Sequence, residues 1–229
     1  MTQEQWTEVD QYFTANLLGS DPVLDAALEA CTAAGLPPIS VSPNQGKLLQ
    51  MLAQIVGAKS ILEVGTLGGY STIWLARGMG ARGRLVTLEI DPAHADVARR
   101  NLARAGLENV VEIRLGSALD TLPKLVAEDP EPFDLVFIDA DKPNIPAYFE
   151  WSLRLSRPGT LIIVDNVVRN GEIVNADSTD SGVQGVRRFI EEFSAQIGVS
   201  GTAIQTVGTK GYDGFAIVLV GAEMTELES

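Results

Sequence analysis

Ile61-Leu62-Glu63-Val64-Gly65-Thr66-Leu67-Gly68-Gly69-Tyr70-Ser71 reads as a buried strand, a glycine-rich turn and the start of a helix. Apart from Glu63 its strand residues are apolar, close to the continuous pattern of a parallel strand covered on both faces. Outward from it, similar runs recur at 84–89, 110–115, 134–139 and 160–165, separated by stretches of helical patterning. Strands alternating with helices imply right-handed βαβ units and a mainly parallel sheet, an α/β fold. The tail changes character: 202–207 and 214–220 are strand-like runs joined by 208–213, which suits a terminal antiparallel hairpin. The first sixty residues read as helical. Asp21-Pro22 supplies an N-cap with Pro at N1, Gly35-Leu36-Pro37-Pro38 stops that helix, and another starts near Pro43. The polar, glycine-containing stretch 169–185 follows the fifth strand, where either a mobile loop over a site or an ordinary surface loop is expected.

With 229 residues, 45% hydrophobic and 21% charged, the chain can bury the core of one α/β domain. Its net charge of −13 repels a phosphate backbone and argues against a nucleic-acid partner. Cys31 is alone, which excludes an intramolecular disulfide and fits a reducing compartment, where it serves as a helix-packing residue. No basic leader with an apolar core opens the sequence and no run is long enough to span a membrane, so a soluble cytoplasmic protein is expected. His94, the only histidine, follows Asp91-Pro92 on a charged helix and is expected to be exposed and structural, which leaves no histidine-based catalysis.

Two features carry chemistry. The turn departs from the dinucleotide pattern G-x-G-x-x-G because Leu67 stands where the second glycine belongs, so a pyrophosphate fits poorly. Glu89 ends the second strand, where its carboxylate can accept hydrogen bonds from both hydroxyls of a ribose; turn and Glu together favour an adenosine ligand. The second feature is a pair of acidic strand ends, Asp139-Ala140-Asp141-Lys142 and Asp165-Asn166. Neighbouring strands lie ~4.8 Å apart, so Asp139, Asp165 and Asn166 can converge on one oxygen-lined point of the kind Mg²⁺ or Ca²⁺ requires.

These segments, taken in order with Val41-Ser42-Pro43-Asn44-Gln45-Gly46-Lys47 and Lys210-Gly211-Tyr212-Asp213-Gly214, resemble the cation-dependent, S-adenosylmethionine-dependent O-methyltransferases of the catechol and caffeoyl-CoA type, closest to the bacterial and plant branch. The resemblance implies a Rossmann-like, seven-stranded, mainly parallel sheet with an antiparallel C-terminal strand, helices on both faces and extra N-terminal helices. It implies a single domain over 1–229, a helical layer at 1–58 and the core at 59–229. It places Glu63, Gly65, Thr66 and Ser71 around the methionine end of the cofactor, with Val41 packing from the helical layer. Glu89 would hold the ribose, and Ile90, Ser117 and Ala118 would flank the adenine. It assigns Asp139, Asp165 and Asn166 to the metal, Mg²⁺ first with Mn²⁺ or Ca²⁺ as alternatives. Asp139 also stands among the cofactor-contacting and catalytic residues, and Asp141 is left out of the coordination shell.

The implied reaction is methyl transfer from S-adenosylmethionine to a phenolic hydroxyl of a vicinal dihydroxy aromatic. A phenol of pKa ~10 is only about one part in a thousand phenolate at pH 7, and lowering that pKa by about three units is worth roughly 4 kcal/mol. Lys142, three residues beyond Asp139, is the candidate general base. Where relatives of the caffeoyl-CoA type carry an aromatic after the acidic motif, this chain has Ile145; Tyr148 or Trp151 would supply an aromatic wall or simply pack a helix. The family forms homodimers, and Trp6, Tyr12, Phe13, Leu17 and Leu18 would either make that contact or cover the chain's own sheet. The competing readings are a metal-independent methyltransferase, a nucleotide-cofactor oxidoreductase on the same sheet, and a non-catalytic metabolite-binding protein.

Overall fold

The computed structural model describes residues 2–80, 82–128 and 131–222. Strands β1 (Ser60–Val64), β2 (Arg84–Glu89), β3 (Val111–Leu115), β4 (Leu135–Ile138) and β5 (Leu161–Asp165) pair in parallel. With β6 (Val199–Gly208) and β7 (Gly211–Val220) they form a seven-stranded sheet of order β3-β2-β1-β4-β5-β7-β6, in which β7 runs antiparallel to both neighbours. The expected sheet is therefore present.

Alternation along the strands sorts the core onto two faces. Leu62, Val64, Val136, Ile138, Ile162 and Val164 meet one helical layer, formed by α6 (Ala118–Ala127), α7 (Ile145–Arg154) and α8 (Ser181–Ala195) through Leu122, Phe149 and Phe189. Ile61, Leu85, Leu135, Phe137 and Ile163 meet the other. That second layer holds α2 (Pro22–Ala33), α3 (Pro43–Ile55), α4 (Tyr70–Gly78) and α5 (Pro92–Arg104), with Leu24, Leu49, Ile73 and Leu102 buried in it. Helices thus leave the β1–β4 boundary toward opposite faces, which opens a crevice beyond the strand ends at this point.

Local chemistry sets the helix starts as expected. Asp21 Oδ1 accepts from Val23 N (3.1 Å) and Leu24 N (3.2 Å) at the head of α2, and Ser42 Oγ from Gln45 N (3.2 Å) at α3. Cys31 is buried, and a carbon added at Gly68 would lie 2.0 Å from its sulfur, so its packing role underlies the glycine turn.

Two expectations need correction. The hairpin joint is not 208–213 but the two residues Thr209-Lys210, with ten-residue strands on either side. The Gly and Asp residues that suggest a longer turn have other tasks: Asp213 Oδ1 accepts from the backbone N–H groups of Val168 and Arg169, each at 3.0 Å, and Gly208 approaches Asp10 so closely that an added carbon would lie 2.3 Å from Oδ2. The stretch 169–185 is also not all loop. After 3₁₀ turns at Arg169–Val174, Asp180 caps α8 by accepting from Val183 N (2.8 Å). Gly182 and Gly185 lie inside that helix, where an added carbon at Gly185 would stand 2.2 Å from the Lys142 carbonyl oxygen; close approach, not flexibility, explains the glycine. Of the N-terminal apolar side chains, Tyr12, Phe13 and Leu17 are exposed, whereas Trp6 and Leu18 are half-buried, and α1 (Gln3–Phe13) lies against β6 without burying any residue fully. No helix among the described residues is long and apolar enough to cross a membrane.

Candidate active site

The crevice is a cavity of about 680 Å³ beyond the carboxyl ends of β1 to β5. Register fixes its floor. Val64 pairs with Leu88 and with Ile138, and Ile138 with Val164, so the residues following them, Gly65, Glu89, Asp139 and Asp165, emerge side by side. Gly65 has φ +103, and a carbon added to it would lie 2.3 Å from the Asp139 carbonyl oxygen, so only glycine fits between the two strand ends.

Glu89 is held before any ligand arrives. Its Oε2 accepts from Leu67 N (2.7 Å) and Thr66 N (3.3 Å), and Oε1 from Asp91 N (2.9 Å). These bonds tie the glycine turn to β2 and support Leu67 at φ 50, a left-handed conformation normally left to glycine. Ile90, Ser117 and Ala118 line the same end of the cavity, and Ile90 is 70% exposed, an apolar surface awaiting a flat partner. His94 is here too. Only 24% of its side chain is exposed, and Nδ1 lies 3.5 Å from Glu89 Oε1, so the expectation that this histidine is exposed is corrected. The signal was its place in the first turn of the helix after β2, five residues beyond Glu89.

Two predicted cofactor residues stand behind the wall rather than in it. Val41 is buried in the helical layer while Ile39 and Ser40 reach the cavity, and Glu63 is wholly buried and accepts hydrogen bonds from Ser71 Oγ (2.7 Å), Thr72 Oγ1 (2.5 Å) and Thr87 Oγ1 (2.7 Å). Ser71, Gly65 and Thr66 do line it. Glu63 is therefore a positioning residue beneath Ser71. Burial pushes its carboxyl up to about 7, against the hydrogen bonds from Thr72, Thr87 and Ser71. A carboxyl whose pKa is raised by folding stabilises the fold fully only below its ordinary 4.5, and that contribution disappears as pH rises to about 7. Unfolding midpoints at pH 5 and pH 8 test this: Glu63→Gln should gain on the wild type at the higher pH, and a pH-independent difference would refute it.

The acidic end is equally ordered. Asp139 Oδ1 accepts from Lys142 Nζ at 2.8 Å, with the two side chains 23% and 12% exposed. Asp165 is buried; its Oδ2 accepts from Gln45 Nε2 (2.8 Å) and its Oδ1 from Asn166 N (2.9 Å). Burial first, then the negative charge of Asp139, push the Asp165 carboxyl above the usual range. Lys210 approaches the same pair: it donates to the Pro38 carbonyl (2.6 Å), and burial lowers its pKa against the opposing pull of Asp139 and Asp165. Asn166 has φ 60, and its side chain lines the cavity without a hydrogen-bond partner among the described residues. Also among the described residues, no three His, Cys, Asp or Glu side chains gather as a metal site, so a cation here has two carboxylates and one amide oxygen to use. That donor set is of the oxygen type a hard divalent cation takes, and Lys142 and Lys210 already bring positive charge to the two carboxylates.

Asp141 lies outside this trio. It accepts from Tyr148 Oη (2.5 Å) and Asn144 Nδ2 (2.6 Å) and borders the cavity. Tyr148 both packs in the core and lines the cavity, whereas Trp151 packs against the core under the guanidinium of Arg154. Arg169, unremarked in the sequence, lines the cavity as well.

A cavity with Glu89 and the glycine turn at one end and two carboxylate-bearing strand ends with a lysine at the other, on this strand order, suits an α/β enzyme that brings a cofactor to a second substrate. An O-methyltransferase family model matches residues 17–214. The catechol O-methyltransferase of Niastella koreensis is 54% identical over 220 residues, 96% of this chain and 100% of that one. Two solved structures align just as fully. The O-methyltransferase from Bacillus cereus in complex with SAH has a TM-score of 0.95 at 58% identity, covering 96% of this chain and 100% of that one. The one from Streptomyces achromogenes involved in tomaymycin synthesis, in complex with SAM, has 0.93 at 51%, covering 96% and 99%. The chain belongs to the O-methyltransferase family, as its motifs suggested.

Proposed function

We propose that the protein transfers a methyl group from S-adenosylmethionine to one hydroxyl of a catechol-like acceptor, with a divalent cation held by Asp139, Asp165 and Asn166. The observation that carries this reading is the sharing of one cavity by Glu89, anchored through three backbone N–H groups, and by Asp139 with Lys142. The name of the Niastella koreensis relative and the SAH and SAM in the two solved relatives support the acceptor and the donor.

The residues divide the work. Glu89 accepts from the ribose hydroxyls, Ile90, Ser117 and Ala118 flank the adenine, and Ser71, fixed from below by Glu63, meets the methionine carboxylate. When bound, S-adenosylmethionine supplies an electrophilic methyl group and the cation supplies Lewis acidity that lowers the pKa of the acceptor phenol. Lys142 donates to Asp139 at 2.8 Å; as an ammonium it stabilises the acceptor's phenolate, and as a neutral amine it takes the phenol's proton onto Nζ. Gln45 fixes the buried carboxylate of Asp165, beside the cavity-lining Asn166, by donating to its Oδ2. Tyr148 walls the acceptor side and helps to position the acceptor against the donor. Exposed Tyr12, Phe13 and Leu17 fit a contact with a second copy.

The test is methyl transfer to catechol with and without exhaustive chelation. Activity should vanish with EDTA and return with Mg²⁺; activity indifferent to EDTA would favour the metal-independent reading, and binding of S-adenosylmethionine with no turnover of any diphenol would favour a binding protein.

A further inference from the structure

Glu63 is a wholly buried carboxyl with no cation beside it. Among the described residues no lysine, arginine or histidine pairs with it, and its partners are hydroxyls alone. Each element around it is accounted for. From α4, Ser71 donates to Oε1 (2.7 Å) and Thr72 to Oε2 (2.5 Å); from β2, Thr87 donates to Oε2 (2.7 Å), with Thr66 of the glycine turn behind it at 2.5 Å between hydroxyl oxygens. The charge that acts on it is the negative one of Asp139, beyond the end of β4.

Such a cage accommodates either protonation state, because a hydroxyl donates to a carboxylate and, turned about, accepts from a carboxylic acid. Of the three hydroxyls bonded to Glu63, only that of Ser71 lines the cavity. While Glu63 is ionised, Ser71 directs its single hydrogen down at Oε1 and offers a ligand carboxylate nothing but lone pairs. Once Oε1 carries a proton, Glu63 donates to Ser71 Oγ and the Ser71 hydrogen is released toward the cavity. Burial has already pushed this carboxyl up to about 7, so a modest change in its surroundings moves it between the two states at neutral pH.

We propose that the cofactor binds with uptake of a proton from solvent by Glu63, completing a chain in which Glu63 Oε1–H donates to Ser71 Oγ and Ser71 Oγ–H donates to the methionine carboxylate. The ligand's negative charge then arrives without a second, buried charge beneath it. The inference rests on the placement of that carboxylate at Ser71 and deepens it: Glu63 is a positioning residue whose protonation decides which way Ser71 points. A ligand that prefers the protonated protein binds more tightly as pH falls. The gain from pH 8 to pH 6 should be about tenfold, levelling off below pH 6 where Glu63 is already neutral.

Calorimetry without added metal, at pH 7 in two buffers of unlike ionisation enthalpy, counts the protons. The ligands are S-adenosylhomocysteine and methylthioadenosine, which keeps the nucleoside and the thioether but has no carboxylate. Wild type should take up about half a proton with the first and none with the second. Glu63→Gln, whose amide N–H reproduces the donor to Ser71, should bind S-adenosylhomocysteine with no proton exchange and at all pH values as tightly as wild type does at pH 6. Ser71→Ala should weaken S-adenosylhomocysteine about tenfold and leave methylthioadenosine unchanged. No uptake in the wild type, equal uptake with both ligands, or uptake that survives in E63Q overturns the proposal while leaving the carboxylate at Ser71. Unchanged S-adenosylhomocysteine affinity in S71A removes the carboxylate from Ser71 and overturns both. The comparison of the two ligands on the wild type stands even if a variant fails to fold.

Discussion

Asp139→Ala is expected to lower the rate of methyl transfer to catechol about a thousandfold. That figure is the fraction of phenolate lost when a phenol returns from a pKa near 7 to its ordinary value of ~10. The substitution also strips Lys142 of its partner at 2.8 Å, so proton handling is lost together with the cation. Stability should not suffer in proportion. Asp139 is partly exposed and its charge opposes the buried Asp165, so its removal relieves a repulsion while breaking one ion pair. Rates and unfolding midpoints measured side by side check this: a loss smaller than tenfold, or one explained by unfolding, would contradict the role assigned to Asp139.

The second large effect belongs to the donor end. Glu89→Gln should weaken S-adenosylmethionine binding by about a hundredfold, since a charged acceptor of two ribose hydroxyls is replaced by a neutral amide. Part of that loss is indirect. The amide offers a single oxygen where the carboxylate offers Oε1 to Asp91 and Oε2 to Thr66 and Leu67, so one side of the clamp loses its acceptor. Leu67 at φ 50 then loses support and the turn relaxes. Calorimetry with S-adenosylmethionine reads the effect directly, and a loss of threefold or less would move the ribose away from Glu89.

Much of this was legible in the sequence for identifiable reasons. Four of the five parallel strands are mostly apolar and buried, and the alternating β3 falls in order between two helices, so their limits lie within a residue of those expected, and the strand ends bring Gly65, Glu89, Asp139 and Asp165 together. What was hidden depends on contacts between distant segments. Gly182 and Gly185 look like loop residues until α8 is seen against the Lys142 turn, and Asp213 looks like a hairpin residue until it is seen gripping 168 and 169. Glu63 carries the right charge in the right motif, but the hydroxyls of Thr72 and Thr87 turn it inward.

The claim on which the rest depends is that a divalent cation sits at the ends of β4 and β5, facing the acceptor. Electron paramagnetic resonance of Mn²⁺ titrated into the protein tests it without reference to turnover. One bound ion per chain is predicted for the wild type, with a spectrum altered by added catechol and with binding lost in Asp139→Ala. Equal Mn²⁺ binding in the wild type and the variant would contradict it.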